Sequence, residues 1–434
     1  MTKYSICSFF AALFLLNVNA QGKLTLQDAL SIALNKSYNI QLAKDNVEIA
    51  NINNHIGVAG GLPVVNAQAI DNEQVTSINQ KFPDASRDVK RSGVSANNLT
   101  ASVTGSILLY NGFRVKAAKQ RLQELAGLNQ DLLNAQIQNT LAAVTTGYYN
   151  VVRHQYFLKS IQQSVEVSKQ RLDILKNRKE VGLANNADIF QAQLDLNTLV
   201  QSQQQQQLVI DQSKTDLLNL IFVNPDSAIT ITDTILIDPA IRLAEIKSAA
   251  LKNPQIIAAE QQIKVNEMLE REVAALRSPS FRATTGFNVS NTSSAAGFIL
   301  LNQSYGPTVG LNLSIPIYNG SIFKRQQKVA EVNTRIAKTQ RDNFLLTVET
   351  GVTRTYQTYT STIAQLNTAK ENYALSIELL KLVMQRFELG QATIIDVRVA
   401  QQSFETESFK IANLSFTAKV AEIELKRLAN LLQP

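Results

Sequence analysis

Two long segments of the sequence contain no proline, and this feature most limits how the chain can fold. The first lies between Gly112 and Gly182, and the second between Gly320 and Gly390. Apolar residues recur every three or four positions in the first segment, which is typical of an amphipathic helix. At 1.5 Å per residue, a helix of about 70 residues would be roughly 100 Å long. Such a length favours a coiled-coil-like assembly over a compact globule.

The two segments belong to a tandem repeat. Five residues recur after a constant interval of 208 positions (318 − 110). The matching pairs are Tyr110 and Tyr318, Tyr148 and Tyr356, Arg178 and Arg386, Gly182 and Gly390, and Asp188 and Asp396. We therefore predict two structural repeats, residues 21–236 and 237–434, joined around the proline-flanked segment 224–239.

Each repeat shows the same order of patterns. Each begins with an amphipathic helix, at about 24–52 in the first repeat and 240–276 in the second. A β-hairpin follows, at about 63–110 in the first repeat and 280–318 in the second, because residues there alternate between apolar and small polar. Long antiparallel helices complete each repeat, at about 113–222 and 321–432, with a glycine at the reversal. The Ser-, Asn- and Gln-rich stretches 74–96 and 290–304 are predicted to be surface loops.

A Tyr-Asn-Gly triplet stands between strand and long helix in both repeats. We interpret Tyr110, Asn111 and Gly112, and likewise Tyr318, Asn319 and Gly320, as strand-to-helix joints. Asn-Gly tolerates the positive φ that such a joint can need. Tyrosine suits a membrane interface, with its ring in lipid and its hydroxyl in water. A plain β-turn is the alternative for each triplet.

The strand pattern favours a membrane sheet. Ten residues suffice for a tilted membrane strand, with the apolar face toward lipid. An open sheet leaves unpaired backbone groups in lipid, so four strands require partner chains to close the sheet. A soluble β-sandwich is the alternative. Residues 1–20 are predicted to be a secretory signal peptide rather than an N-terminal anchor, and the chain's single cysteine, Cys7, lies within them.

The repeat, the joints and two further motifs together resemble the TolC-like outer-membrane efflux protein family. These motifs are "GQATIIDVRVAQ" at 390–401 and its partner "GLANNADIFQAQ" at 182–193. The resemblance covers essentially the whole chain after residue 20. It implies a mainly α fold with a membrane β-barrel portion, in which a homotrimer forms a 12-stranded β-barrel and an α-helical barrel.

The resemblance also implies a function. The protein would be a passive duct in the outer membrane that extends into the periplasm, and not an enzyme. It would serve efflux or type I secretion, with a periplasmic adaptor (membrane fusion protein), an inner-membrane pump and outer-membrane lipid as its partners. The alternative is a periplasmic coiled-coil structural or adaptor protein.

The family's pore and docking residues can be carried over by motif. Asp396 matches the pore acid of the second repeat. Asp188 matches the acid of the first repeat that partners a closed-state tie, and we expect both at the pore constriction. Three residues depart from the best-known pattern: Val399 replaces a second pore-facing acid, and Ala392 and Phe387 replace the arginine and tyrosine that tie the closed state. Helix-start acids are the alternative for both aspartates.

The periplasmic tips are the predicted adaptor-docking residues. They are Val181, Gly182 and Leu183 in the first repeat, and Leu389 and Gly390 in the second, with plain helix capping as the alternative.

Nothing else in the sequence indicates a catalytic, metal or cofactor site. The only histidines, His55 and His154, lie far apart, and no nucleotide, hydrolase or zinc motif is present. We therefore expect no catalytic residue, metal site or cofactor. The net charge of +7 comes from scattered side chains, with 18% charged residues, so we expect no nucleic-acid partner.

Overall fold

The computed structural model describes residues 22–295 and 300–433; the predicted signal peptide lies outside these residues. The described chain is mainly helical. Its helices are α1 (Leu26–Lys36), α2 (Tyr38–Asn53), α3 (Arg114–Glu180), α4 (Asn186–Leu220), α5 (Leu243–Ala250), α6 (Pro254–Ala274), α7 (Ile322–Glu388) and α8 (Ile394–Leu428). Its strands are β1 (Gly22–Lys23), β2 (Val64–Gln80), β3 (Val89–Tyr110), β4 (Ile229–Thr230), β5 (Ser280–Ser294) and β6 (Leu301–Ser314).

The proline-free segments form the two long helices. Helices α3 and α7 contain 67 residues each, and the helices that follow them, α4 and α8, contain 35 each. No proline interrupts the backbone hydrogen bonds of α3 and α7, so each continues to its turn glycine, Gly182 or Gly390. No helix in the described ranges is both long and apolar enough to cross a membrane.

The opening helix of each repeat is divided in two, which differs from the single helix that we expected. In the first repeat Ser37 ends α1 with an extended ψ of 118°, and its hydroxyl accepts a hydrogen bond from the Ile40 N–H at 3.4 Å, at the start of α2. In the second, α6 begins at Pro254, and the preceding Asn253 accepts a bond from the Gln255 N–H at 2.9 Å. Proline disfavours a helical conformation in the residue before it, which explains the second break.

One four-stranded antiparallel sheet contains the two hairpins, in the order β2-β3-β5-β6. Its strands are longer than predicted. The expected loop 74–96 is mostly strand, since β2 continues to Gln80 and β3 begins at Val89. Most of the expected loop 290–304 is also strand. Polar side chains stand on both faces there, so the apolar alternation that indicates a strand is missing although the backbone ladder continues.

The second hairpin ends earlier than predicted. Strand β6 stops at Ser314, and residues 315–318 have no regular structure. The alternation of apolar residues continues through Ile317, which is why the sequence suggested a longer strand. Pro316 lacks an N–H to donate to a sheet and therefore does not support a further ladder bond.

The chain divides into two compact units. The first contains the described parts of 1–44, 132–257 and 343–434. Its largest apolar cluster surrounds Tyr148 in α3, whose hydroxyl donates to the Asp233 carboxylate at 2.6 Å and lies 3.0 Å from the Leu24 carbonyl oxygen. Burial is the main reason that the pKa of Tyr148 is raised. These contacts fix the segment between the repeats, and a two-stranded parallel sheet of β1 and β4 lies in the same unit.

The second unit contains residues 45–131 and 258–342. It holds the four-stranded sheet and the helical segments next to it in sequence. Ala59, Ala118 and Leu122 form an apolar cluster there. Arg121 of α3 forms an ion pair with Glu272 of α6, with 2.8 Å between Nε and Oε2. Small residues and paired charges thus hold these helices together.

Candidate functional site

Both long helices end in the same left-handed glycine turn. Gly182 has a φ of 77° and Gly390 a φ of 80°. In the first tip the Gly182 N–H donates to the Lys179 carbonyl at 2.9 Å, and the Leu183 N–H to the Arg178 carbonyl at 2.8 Å. The second tip repeats both bonds. This is the Schellman arrangement, which satisfies the last carbonyl groups of a helix and reverses the chain.

The predicted docking residues lie at the two tips, within the first unit. Val181, Leu183 and Leu389 are exposed apolar side chains. The tips are close together, because a Cβ added to Gly390 would lie 3.8 Å from Nη2 of Arg178 in the other tip. The structure therefore brings the apolar residues of both repeats to one end of this unit.

The two predicted pore acids occupy the third helical position of α4 and α8. The Asp396 carboxylate accepts bonds from the Thr393 N–H and hydroxyl, both at 2.8 Å, and its own N–H donates to the hydroxyl at 3.2 Å. These bonds, from the backbone N–H first, hold the pKa of Asp396 below its usual range. Asp188 differs: its N–H donates to the Asn185 side chain at 2.9 Å. Both aspartates thus start helices, and Asp396 also completes a capping box.

The positions that depart from the family pattern have distinct surroundings. Phe387 stands where the family pattern has a tyrosine that ties the closed state, and it lacks the hydroxyl for that bond. It is buried in an apolar cluster with Leu172 and Val397. Arg178 lies over its ring, 4.7 Å from the centroid, and donates to its carbonyl oxygen. Val399 is exposed. The contact between the long helices at this point therefore uses an arginine of the first repeat rather than a phenol of the second.

A buried ion cluster near the tips was missed by the sequence analysis. Arg171 of α3 is 1% exposed, and its Nη2 lies 2.8 Å from Oδ2 of Asp195 in α4. Nε of Arg398 in α8 lies 3.5 Å from the same oxygen, and Gln191 donates to the other carboxylate oxygen at 2.8 Å. Counting outward from Gly182 would have found the pair, since Arg171 lies 11 residues before it and Asp195 13 after it.

The first Tyr-Asn-Gly triplet lies in the second unit. Tyr110 is the last residue of β3, and α3 begins at Arg114. Gly112 and Phe113 both have a φ of 64°. A Cβ on Gly112 would overlap the side chain of Ser278. This position therefore needs glycine both for its backbone angle and for space.

The second triplet is less confined. Gly320 and Ser321 have φ values of 67° and 64°, and α7 begins at Ile322. Apart from the two chain neighbours, no atom of residues 22–295 and 300–433 lies within 4 Å of a Cβ added to Gly320. Tyr318 is exposed and lies four residues beyond the end of β6. The two triplets thus share their backbone angles but differ in their contacts.

The two histidines have different neighbours. The ring nitrogens of His154 lie 3.2 Å from Arg153 Nη2 and 3.3 Å from Gln206 Nε2. Burial, then the charge of Arg153, lowers the pKa of His154. His55 accepts a bond from the Gly57 N–H at 3.1 Å. Within residues 22–295 and 300–433, no three His, Cys, Asp or Glu side chains are grouped to hold a metal ion.

Comparisons with known proteins identify the family of this chain. The family model described as "Outer membrane efflux protein" matches residues 29–222 and 246–431, which is most of the chain. The chain belongs to the outer membrane efflux protein family. It is therefore a TolC-like channel protein of the outer membrane. Proteins of this family are transport ducts and not enzymes.

Individual relatives are distant in sequence but similar in fold. Outer membrane protein TolC of Escherichia coli (strain K12) is 23% identical over 345 residues, which cover 77% of this chain and 70% of that protein. The crystal structure of VceC from Vibrio cholerae has a TM-score of 0.77 at 16% identity, over 93% of this chain and 95% of that one. The CmeC channel of Campylobacter jejuni has a TM-score of 0.77 at 14% identity, over 93% and 85% of the two chains. At these identities the structures support the efflux-protein fold, and the family match supports export.

Proposed function

We propose that this efflux protein assembles as a homotrimer with one 12-stranded barrel in the outer membrane and an α-helical barrel in the periplasm. The open four-stranded sheet carries the proposal. Within the described ranges, its outer strands β2 and β6 each pair with only one neighbour. Unpaired backbone groups in lipid cost several kcal/mol each, so the edges need partner strands. Three copies supply twelve strands, an even number that bacterial barrels use.

In this proposal each protomer of the trimer contains two structural repeats. The repeats are residues 21–236 and 237–434. The equal lengths of α3 and α7, and of α4 and α8, support this division. The two glycine turns, with φ values that differ by 3° (80 − 77), support it further.

The proposed transport step is passive. An inner-membrane pump and a periplasmic adaptor deliver substrate, and the duct carries it across the outer membrane. The channel is gated at its periplasmic end, where three copies of Asp396 form a carboxylate ring that favours cations, with Asp188 nearby. The exposure of Asp396 at the start of α8 supports this role, because a capping carboxylate keeps its charge and can still face a pore.

The proposed adaptor contact is apolar. Val181, Leu183 and Leu389 are exposed beside the turn glycines, and a group of exposed apolar side chains indicates an interaction surface. A partner that covers these three side chains would bury them. A periplasmic structural or adaptor role for the chain itself is not favoured, because the family match covers both repeats.

Membrane fractionation and electrophoresis test the assembly. We expect the protein in the outer-membrane fraction, as a trimer in mild detergent that separates into monomers on heating. We also expect it to form cation-selective channels in planar bilayers. A monodisperse monomer with full native secondary structure would contradict the proposed architecture.

A further inference from the structure

A cavity of about 230 Å³ lies beside the first strand-to-helix joint, in the second unit. Its polar lining comes from the end of β3, the start of α3, the segment after α6 and the ends of β5 and β6. The lining includes Asn111, Arg114, Ser278, Ser280, Arg282 and Ser314. No aspartate or glutamate is among the residues that line it. The cavity is thus rich in hydrogen-bond donors and carries two guanidinium groups.

Several of these donors lack an acceptor in the described part of the chain. Asn111 is 9% exposed, and its Nδ2 is buried without a hydrogen-bond partner, while its Oδ1 accepts from the Val115 N–H at 3.4 Å. The Arg114 side chain has no ion pair or hydrogen bond among residues 22–295 and 300–433. Arg282 makes one bond, from Nη1 to the Ser106 hydroxyl at 3.2 Å. The Asn111 amide is a buried donor without an acceptor, which is costly, whereas the two guanidinium groups are exposed. An anion in the cavity would satisfy the amide and pair with both guanidinium groups.

The charge of the helix that starts here supports the same conclusion. A helix N-terminus favours acidic side chains, yet the first turn of α3 has none and carries Arg114 and Lys116. The first turn of α7 likewise has no acid and carries Lys324 and Arg325. Cations at these positions oppose the helix dipole. Of these four cations only Arg114 lines the cavity, so an anion bound there would offset the cost at that residue.

We propose that this cavity binds the phosphate of a phospholipid headgroup from the inner leaflet of the outer membrane. Arg114 and Arg282 would pair with the phosphate oxygens, and the Asn111 amide would donate to one of them. The lipid source rests on the proposed membrane position of the sheet, because the cavity lies where that sheet meets the long helices. A void of about 150 Å³ holds a benzene ring, so this cavity has room for a phosphate and its glycerol end.

Native mass spectrometry of the full-length detergent-solubilised protein tests the proposal. Dioleoyl phosphatidylglycerol is the probe, and dioleoylglycerol, which has the same two chains but no phosphate, is the matched neutral lipid. We expect about one phosphatidylglycerol per chain and at least 10-fold weaker retention of dioleoylglycerol. Equal retention of the two lipids would overturn the proposal. Inorganic phosphate bound as tightly as the lipid would overturn the lipid source.

Variants of the lining residues test whether the lipid binds in this cavity. Asn111→Asp keeps the acceptor for Val115 but replaces the donor by a negative charge, and Arg114→Gln with Arg282→Gln removes both cations. Each should weaken phosphatidylglycerol retention at least 10-fold. The controls are Lys328→Gln, an exposed cation of α7 outside the cavity, and Asn319→Asp at the other joint, both with unchanged retention. Unchanged retention in the arginine double variant would overturn the proposal even if Asn111→Asp failed to fold.

Channel recordings on the same preparations separate this inference from the proposed function. Wild-type protein that forms channels but retains no phosphatidylglycerol would overturn the lipid site and leave the duct intact. Protein that retains the lipid but forms no channel would contradict the duct and leave the site intact.

Discussion

Arg171 and Asp195 form an ion pair that joins the two antiparallel helices of the first repeat close to their tip. The guanidinium is almost fully buried, and its Nη2 lies 2.8 Å from the carboxylate. Burial, the largest effect, lowers the pKa of Arg171, while the charge of Asp195 and its hydrogen bond oppose that change. Arg398 of α8 approaches the same oxygen, so one carboxylate connects three helices.

Removal of this carboxylate should destabilise the protein. Asp195→Asn leaves Arg171 buried without a counter-charge, and loss of one partner of a buried pair typically costs about 3–5 kcal/mol. We expect a loss toward the lower limit, about 3 kcal/mol, because Asp195 is partly exposed. Thermal unfolding in detergent, followed by circular dichroism, measures the effect. The matched control is Asp211→Asn, an exposed acid on the same helix, which should change stability by less than about 0.5 kcal/mol. Equal unfolding temperatures for the two variants would contradict the importance of the pair.

This cluster shows which information the sequence lacks. The absence of proline and the glycines at the reversals are local signals, so the long helices could be predicted. The pairing of Arg171, Asp195 and Arg398 depends on the register between three helices. Arg171 and Asp195 can be related by counting from Gly182, because they share one hairpin. Arg398 comes from the other repeat, and no local pattern relates it to the first two.

Glu422 of α8 should be needed to hold the segment between the repeats. It is nearly fully buried, and its carboxylate accepts from Lys419 at 2.9 Å, from Lys426 at 2.8 Å and from the Asp238 N–H at 3.0 Å. Glu422→Gln keeps the shape but removes the charge between two lysines, so we expect a loss of about 3 kcal/mol. The segment around Asp238 should then be cleaved faster in limited proteolysis.

Glu424→Gln is the control for that experiment. Glu424 pairs with Arg427 one turn away on the same helix, at 2.7 Å, and among the described residues its side chain makes no hydrogen bond or ion pair to the segment between the repeats. Its replacement should leave the cleavage rate at Asp238 unchanged. Equal acceleration in both variants would show that the charge of α8, and not the bond to Asp238, protects the segment.

Alanine at the two joint glycines should have unequal effects. Both glycines have positive φ, so alanine costs about 1 kcal/mol at either position. At Gly112 the new Cβ would also overlap Ser278 and lie 3.2 Å from the Ala275 carbonyl oxygen, whereas at Gly320 it meets nothing within 4 Å. We therefore expect Gly112→Ala to lower the yield of trimer severely and Gly320→Ala only slightly. The amount of heat-modifiable oligomer in outer membranes measures both. Equal yields would mean that the segment containing Ser278 moves without cost.

The strands show a second limit of sequence analysis. The apolar alternation at Leu99, Ala101 and Val103 predicts the part of β3 where it occurs. Residues 74–80 and 89–96 carry Asn, Gln, Ser and Thr on both faces, yet the ladder joins them almost without interruption. This part of the sheet is defined only by hydrogen bonds between backbone groups. The amino-acid composition does not indicate which backbone groups pair. The short turn 81–88 could therefore not be located in advance.

Asp396 should control ion selectivity more than Asp188 if it lines the pore. Asp396→Ala removes one carboxylate per protomer from the proposed ring and should reduce cation selectivity in planar bilayers. Block by a trivalent cation from the periplasmic side should weaken as well, because Val399 offers no second carboxylate. Asp188→Ala is the comparison, since we expect that residue mainly to start α4. Unchanged selectivity and block in Asp396→Ala would place the constriction elsewhere along α8.

The pH at which this selectivity disappears should depend on Thr393. In the protomer, hydrogen bonds from the Thr393 N–H and hydroxyl lower the pKa of Asp396. A carboxyl with a lowered pKa stays charged above that value, so its charge and its capping contribution are lost only as the pH falls through it. Thr393→Val removes the hydroxyl bond, and the pKa of Asp396 should rise toward the usual value of about 3.9.

Selectivity in Thr393→Val should therefore be lost at a higher pH than in the wild type. Repulsion between three carboxylates raises the pKa of Asp396 in both proteins, so it does not remove the difference between them. Thr347→Val is the control, because the Thr347 hydroxyl donates to the Asn343 carbonyl on the exposed side of α7, away from the tips. It should keep the wild-type midpoint. The same midpoint in Thr393→Val and the wild type would mean that the capping box does not set the charge of Asp396 in the assembled channel.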